Sequence, residues 1–126
     1  MLKYIQNTMP HEKAVQYRKR DSFIMKKDIL NKDVDSLYEA ILNLENMEEC
    51  RAFFKDLCTY QELDAMAQRL QVAKMLYTHH VFTDIVAATG ASTATISRVN
   101  RSIKNGEEGY KAVFERLGIH SGDEEK

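Results

Sequence analysis

The chain has 126 residues, 44% hydrophobic and 29% charged, with a formal net charge of −1. That length suits one domain with a modest core, and the composition is ordinary for a soluble globular protein. No apolar run approaches the roughly 18 residues of a membrane span, the N-terminal residues lack the apolar h-region of a secretory signal, and Cys50 and Cys58 form neither a CxxC nor a metal-ligand pattern, so a reduced cytoplasmic location is expected.

Pro10 is the only proline and the first glycine is Gly90, so the chain offers long uninterrupted helices and few tight turns. Alternating strand patterns are absent, and the expected class is all-α. Residues 1–32 form a basic N-terminal segment, either a helix or a loose arm. Met25, followed by Lys26 and Lys27, can itself serve as a translation start, which would make 1–24 an upstream extension. Asp33 caps an expected helix running to Leu44, with Val34, Leu37, Tyr38 and Ile41 on one face. Met47, Cys50, Phe53, Phe54 and Leu57 form the apolar face of the next. Thr59 and Glu62 make a T-x-x-E capping box for a long helix to about Tyr77, striped by Leu63, Met66, Leu70, Ala73 and Tyr77. A short helix is expected from Thr83 to a stop at Gly90, another from Ser92 to Asn105-Gly106. A last one runs from Glu107 to Leu117, with Tyr110, Val113, Phe114 and Leu117 inward. The domain thus spans 33–119, and 120–126 reads as a disordered acidic tail.

The small net charge conceals an uneven distribution. Residues 1–32 carry a net +5, 33–64 a net −7, 65–105 a net +4 and 106–126 a net −3. Phosphate contact needs a locally positive face, and two stretches supply one.

The segment 82–101, FTDIVAATGASTATISRVNR, reads as a helix-turn-helix: two short helices joined at a glycine. Ile85 and Val86 are expected to face the core. Gly90 suits the positive φ of the turn, and Ala91 is small enough for close helix approach. Ser92 or Thr93 caps the second helix, and Ile96 and Val99 anchor its inner side. Thr93, Ala94, Thr95, Ser97 and Arg98 then face outward or along the rim. Thr and Ser can bond base edges, and Ala or a Thr methyl can meet a thymine methyl. Arg101 and Lys104 suit phosphate, and no acidic residue lies between Ile85 and Gly106.

The tracts TYQELDAMAQRLQVAKML (59–76) and ATGASTATISRVNRSIK (88–104), above all Gly90 to Arg98, resemble the Trp repressor. They are more similar still to the Trp-repressor-related YerC/YecD family. The resemblance implies six helices per subunit, an intertwined homodimer, and symmetric reading of a pseudo-palindromic operator in double-stranded DNA. It singles out Thr83, Thr93, Ala94, Thr95, Ser97 and Lys104 for DNA, beside Ser92 and Arg101. It also implies a corepressor pocket: Arg69 and Arg98 match the arginines that flank the ligand ring, Arg98 also meets its carboxylate, and Thr59 and Ser102 line the pocket. Val99 stands where the family has glycine, and the loop 78–82 is one residue shorter. Both departures point away from tryptophan, leaving two readings of Arg69 and Arg98: exposed arginines that bond carboxylates or phosphate, or a pocket for another amino-acid-like corepressor. Phe82 falls near a polar DNA-facing position of the family, so a different target sequence is expected.

His79 and His80, adjacent on a helix, diverge and make a poor chelate, suiting instead the negative end of the long helix. Glu48-Glu49 and Glu107-Glu108 read as helix-start charges, and Cys50 and Cys58 as small buried residues. With no nucleotide-binding or nucleophile motif, no enzyme, cofactor or metal is expected. The sequence reading is a DNA-binding transcriptional regulator, a repressor. Its rival is a helical protein-interaction module whose acidic 33–64 face binds a protein and whose helix-turn-helix no longer reads bases.

Overall fold

A computed structural model describes residue 29 and residues 31–122; of the expected basic segment only 29, 31 and 32 are described, and they are helical, while residues 123–126 lie outside the described residues. Six helices occur among the described residues. Helix α1 covers 31–42, α2 Met47–Leu57, α3 Tyr60–Tyr77, α4 Phe82–Thr89, α5 Thr93–Asn105 and α6 Gly109–Arg116. The chain divides into two compact units between Ala52 and Phe53, inside α2.

In the first unit the helix expected to reach Leu44 stops at 42. The Asn43 side chain donates to the Glu39 carbonyl at 2.6 Å, competing with the backbone for that acceptor. Asn46 then caps α2: the Glu49 N–H donates to Asn46 Oδ1 at 2.8 Å, while the Glu49 carboxylate accepts from the Glu45 N–H at 2.9 Å. Glu48 and Glu49 occupy the first turn of α2, as the dipole favours. No described residue of this unit is buried, and Val34, Tyr38, Leu42 and Met47 are exposed.

The second unit holds the core. Val72 and Ala73 of α3, Ile85 of α4, Ala91 of the turn, Ile96 and Val99 of α5, and Phe114 of α6 form one buried cluster. The Phe114 ring lies 5.2 Å from Tyr77 and 6.0 Å from Tyr110, within the range of favourable aromatic pairing. Helix α3 is the platform, packed against both α5 and α4. Thr59 caps it by accepting from the Glu62 N–H at 3.2 Å, as the T-x-x-E spacing predicts.

Several inward faces differ from the sequence reading. On α3, Val72 is fully buried while Leu70 is 41% exposed, because α4 and α5 cover the side that carries Val72 and Ala73. On α6, only Phe114 is buried; Val113 and Leu117 face out. Helix α6 also begins two residues later than expected. Glu108 sits at φ 60°, a left-handed conformation that cannot continue into helix, so Glu107 and Glu108 precede α6 and do not open it. Cys50 and Cys58 are half-buried free thiols.

Candidate nucleic-acid interface

Helices α4 and α5 form the expected helix-turn-helix, and the turn is built by five residues. Gly90 closes α4 at φ 68°, and its N–H donates to the Val86 carbonyl at 2.9 Å. The Thr89 hydroxyl donates to the Ile85 carbonyl at 2.7 Å and accepts from the Ala91 N–H at 3.2 Å, bracing the corner from inside. Gln68 of α3 reaches across to donate to the Thr89 carbonyl at 3.1 Å. Ser92 then caps α5, accepting from the Thr95 N–H at 3.2 Å. Sequence reasoning identified Gly90, Ala91 and Ser92. It missed Gln68 and Thr89, whose partners are 21 residues apart in one case and hidden in a helix end in the other. A threonine ahead of the turn glycine was the available signal for the second.

Ile85, Ile96 and Val99 are buried as expected, and Ala91 is only 3% exposed where the helices approach. Val86 differs: it is 40% exposed, one turn from Phe82 on the outer side of α4. Four residues separate these two, so a helix stacks them as an exposed apolar pair on one face.

With Ile96 and Val99 held inward, the 100° step per residue fixes what α5 presents. Thr93, Ser97, Arg101 and Lys104 share one exposed stripe along the helix. Ala94, Arg98 and Ser102 form a second exposed stripe beside it. The first displays two hydroxyls at the helix start and two cations further along, the order expected when base edges are met near the N-terminus and phosphates beyond. Thr83 is exposed at the start of α4. Thr95 is half-buried, and its hydroxyl accepts from the Ser92 hydroxyl at 3.0 Å, so the cap fixes its orientation.

Of the residues that the resemblance assigns to a corepressor pocket, Thr59 and Ser102 line different cavities among the described residues. Thr59 lines a small cavity of about 80 Å³ with Lys55, Cys58, Tyr60 and Leu63. Ser102 lines a groove of about 550 Å³ with Leu70, Gly106, Tyr110 and Val113, and its hydroxyl donates to the Arg98 carbonyl at 3.3 Å. Arg69 and Arg98 are exposed, while Val99 is 2% exposed and belongs to the core.

At the end of α3, the His80 N–H bonds the Met75 carbonyl at 2.9 Å, and its ring Nδ1 lies 3.2 Å from the same oxygen. His80 therefore meets the carbonyl end of α3, as its position after the helix suggests. Among the described residues no group of three His, Cys, Asp or Glu side chains is placed to hold a metal ion, and no helix is long and apolar enough to cross a membrane.

Comparison with known proteins agrees with this architecture. Residues 32–118 match the family described as Trp repressor protein. The chain is 46% identical over 86 residues to the uncharacterized protein YerC of Bacillus subtilis, covering 68% of this chain and 83% of that one. Its fold superposes with a TM-score of 0.69 on a TrpR-like protein from Eubacterium eligens, 51% identical, covering 71% of this chain and 93% of the other. It superposes equally, at 48% identity and 71% and 90% coverage, on a Staphylococcus aureus chain ascribed to the Trp repressors. An all-helical chain with this helix-turn-helix, matched over 87 consecutive residues, belongs to the Trp repressor family.

Proposed function

We propose that the protein is a cytoplasmic, homodimeric transcriptional regulator, a repressor, that binds a pseudo-palindromic site in double-stranded DNA. The observation that carries this reading is the exposed stripe Thr93, Ser97, Arg101 and Lys104, held outward by buried Ile96 and Val99. Ser92, Ala94, Thr95 and Thr83 complete the surface presented to DNA. Arg101 and Lys104 supply affinity through phosphates, and the start of α5 supplies sequence preference. Family membership gives a regulator of this kind, not an enzyme, as the expectation.

The dimer is supported by the apolar surface left uncovered on the single chain. Tyr60 is 78% exposed and Leu117 65%, and the groove at Leu70, Tyr110 and Val113 is predominantly apolar. Soluble monomers rarely leave large apolar patches open. A second copy would bring α3 and α6 into shared burial. It would also bring Thr59, Arg69, Arg98 and Ser102 close enough to frame an amino-acid-like effector between subunits, in keeping with their separation within one chain.

Selection of bound duplexes from a random pool, at about 150 mM salt where nonspecific binding is weak, tests the reading. A two-fold-symmetric motif with half-sites one helical turn apart is the expected result. Within it, Thr95→Ala shifts the preferred bases, while Lys104→Ala weakens all sequences alike and lowers the salt slope by about one unit. A pool that never converges rejects sequence reading and leaves the interaction module.

A further inference from the structure

A second groove lies on the other flank of α5, away from Arg98 and Ser102. It encloses about 450 Å³, within the range of small-molecule sites, between the end of α3, the start of α4 and the last turns of α5. Its apolar wall includes Tyr77, Phe82 and Ile103; its polar edge is His79, His80, Asn100, Lys104 and Ser121. Tyr77 and Ile103 are half-buried and backed by the core, so this wall is rigid, whereas Phe82 is 41% exposed.

We infer that this groove is a binding site for a small aromatic acid, a flat ring bearing one carboxylate or phosphate. A ring packs against Tyr77 and Phe82, aromatic side chains that offer area at little entropic cost. The anionic group then meets the Lys104 ammonium and the Asn100 amide. The His80 ring at the edge is held in place by its Nδ1, 3.0 Å from the Thr78 hydroxyl and 3.2 Å from the Met75 carbonyl. Asn100 and Lys104 are four residues apart on α5 and share a face, whereas Arg98 and Ser102 lie on another. The groove is therefore distinct from the expected corepressor position.

Lys104 also belongs to the stripe offered to DNA, and Phe82 adjoins Thr83. Resting on the proposed DNA reading, the consequence is that a bound acid neutralises Lys104 and occupies the foot of the interface. Such a ligand releases DNA, opposite in sign to a corepressor.

The test uses the full chain, isotope-labelled, titrated with benzoate, phenyl phosphate and the uncharged control benzyl alcohol. Expected are saturable amide shifts at Phe82, Asn100, Ile103 and Lys104 with dissociation constants near ~1 mM for the acids, as befits ligands of about ten heavy atoms. Benzyl alcohol binds roughly tenfold more weakly, and Lys104→Gln reduces acid binding by a similar factor. Phe82→Ala, at a part-exposed position that leaves the core intact, weakens both kinds of ligand. Arg98→Gln leaves acid binding unchanged. Shifts centred on Tyr110 and Val113 or on Arg69 and Arg98, equal binding of the alcohol, or no saturation by either acid overturns the site. In a parallel arm, phenyl phosphate displaces a DNA duplex from the wild type more effectively than from Phe82→Ala. A footprint in the groove without displacement refutes the coupling to DNA. A protein that binds no duplex in any condition refutes the DNA reading and leaves the footprint to decide the groove.

Discussion

Two glycines bracket α5, and alanine at each tests opposite physical effects. Gly90 holds φ 68° with open space around the position of an added Cβ. Its substitution strains the backbone without a clash, so Gly90→Ala costs about 1 kcal/mol, the penalty of a left-handed conformation for an L-residue. Gly106 has an ordinary extended backbone at φ −87°, but a Cβ there overlaps the Ser102 carbonyl oxygen, a backbone atom that cannot swing away. Gly106→Ala must shift the end of α5 and costs about 2–3 kcal/mol, as overpacking does. Urea unfolding at one fixed protein concentration reads both. With a slope of about 1 kcal/mol per molar for a domain of this size, the midpoint falls by about 1 M for Gly90→Ala and by at least twice that for Gly106→Ala, with slopes unchanged. Asparagine at 90, which tolerates the left-handed region, recovers part of the loss; asparagine at 106 does not. If Gly90→Ala proves the more damaging, or asparagine rescues 106, the steric reasoning about the end of α5 is wrong.

Three further outcomes follow from the same geometry. Phe114→Ala, which empties the site where α6 meets Tyr77 and the core, lowers stability by about 3–5 kcal/mol in the same assay. Ser92→Ala loses about 1 kcal/mol by removing the cap of α5, whereas Ser92→Asp retains most of that stability, as thermal unfolding would show. Gln68→Leu leaves the Thr89 carbonyl without its cross-helix donor and costs about 1 kcal/mol. Faster amide exchange of Gly90 and Ala91 would accompany that loss, and unchanged exchange there would mean that Gln68 does not brace the turn.

Local chemistry in the sequence determined the helix ends and the helix-turn-helix. Thr59, Gly90 and Ser92 act on backbone groups within four residues of themselves, so their spacing alone specifies the start of α3, the stop of α4 and the start of α5. The inner anchors Ile96 and Val99, and with them the exposed stripe of α5, were legible for the same reason: two apolar residues three positions apart on a helix fix a face. Where local signals were short, the reading slipped by a turn or less, as at Asn43 and Glu108. The tertiary structure decided which of several apolar faces is covered. Leu70 and Val72 are equally apolar, and Val86 is as apolar as Ile85, yet only Val72 and Ile85 are buried, because burial depends on where neighbouring helices arrive. The same holds for the brace from Gln68 to Thr89, the obstruction at Gly106, and the groove that gathers Tyr77, Phe82, Asn100 and Lys104 from three helices. Contacts between residues distant in the chain leave no periodic mark in it, and only the packed fold brings them together.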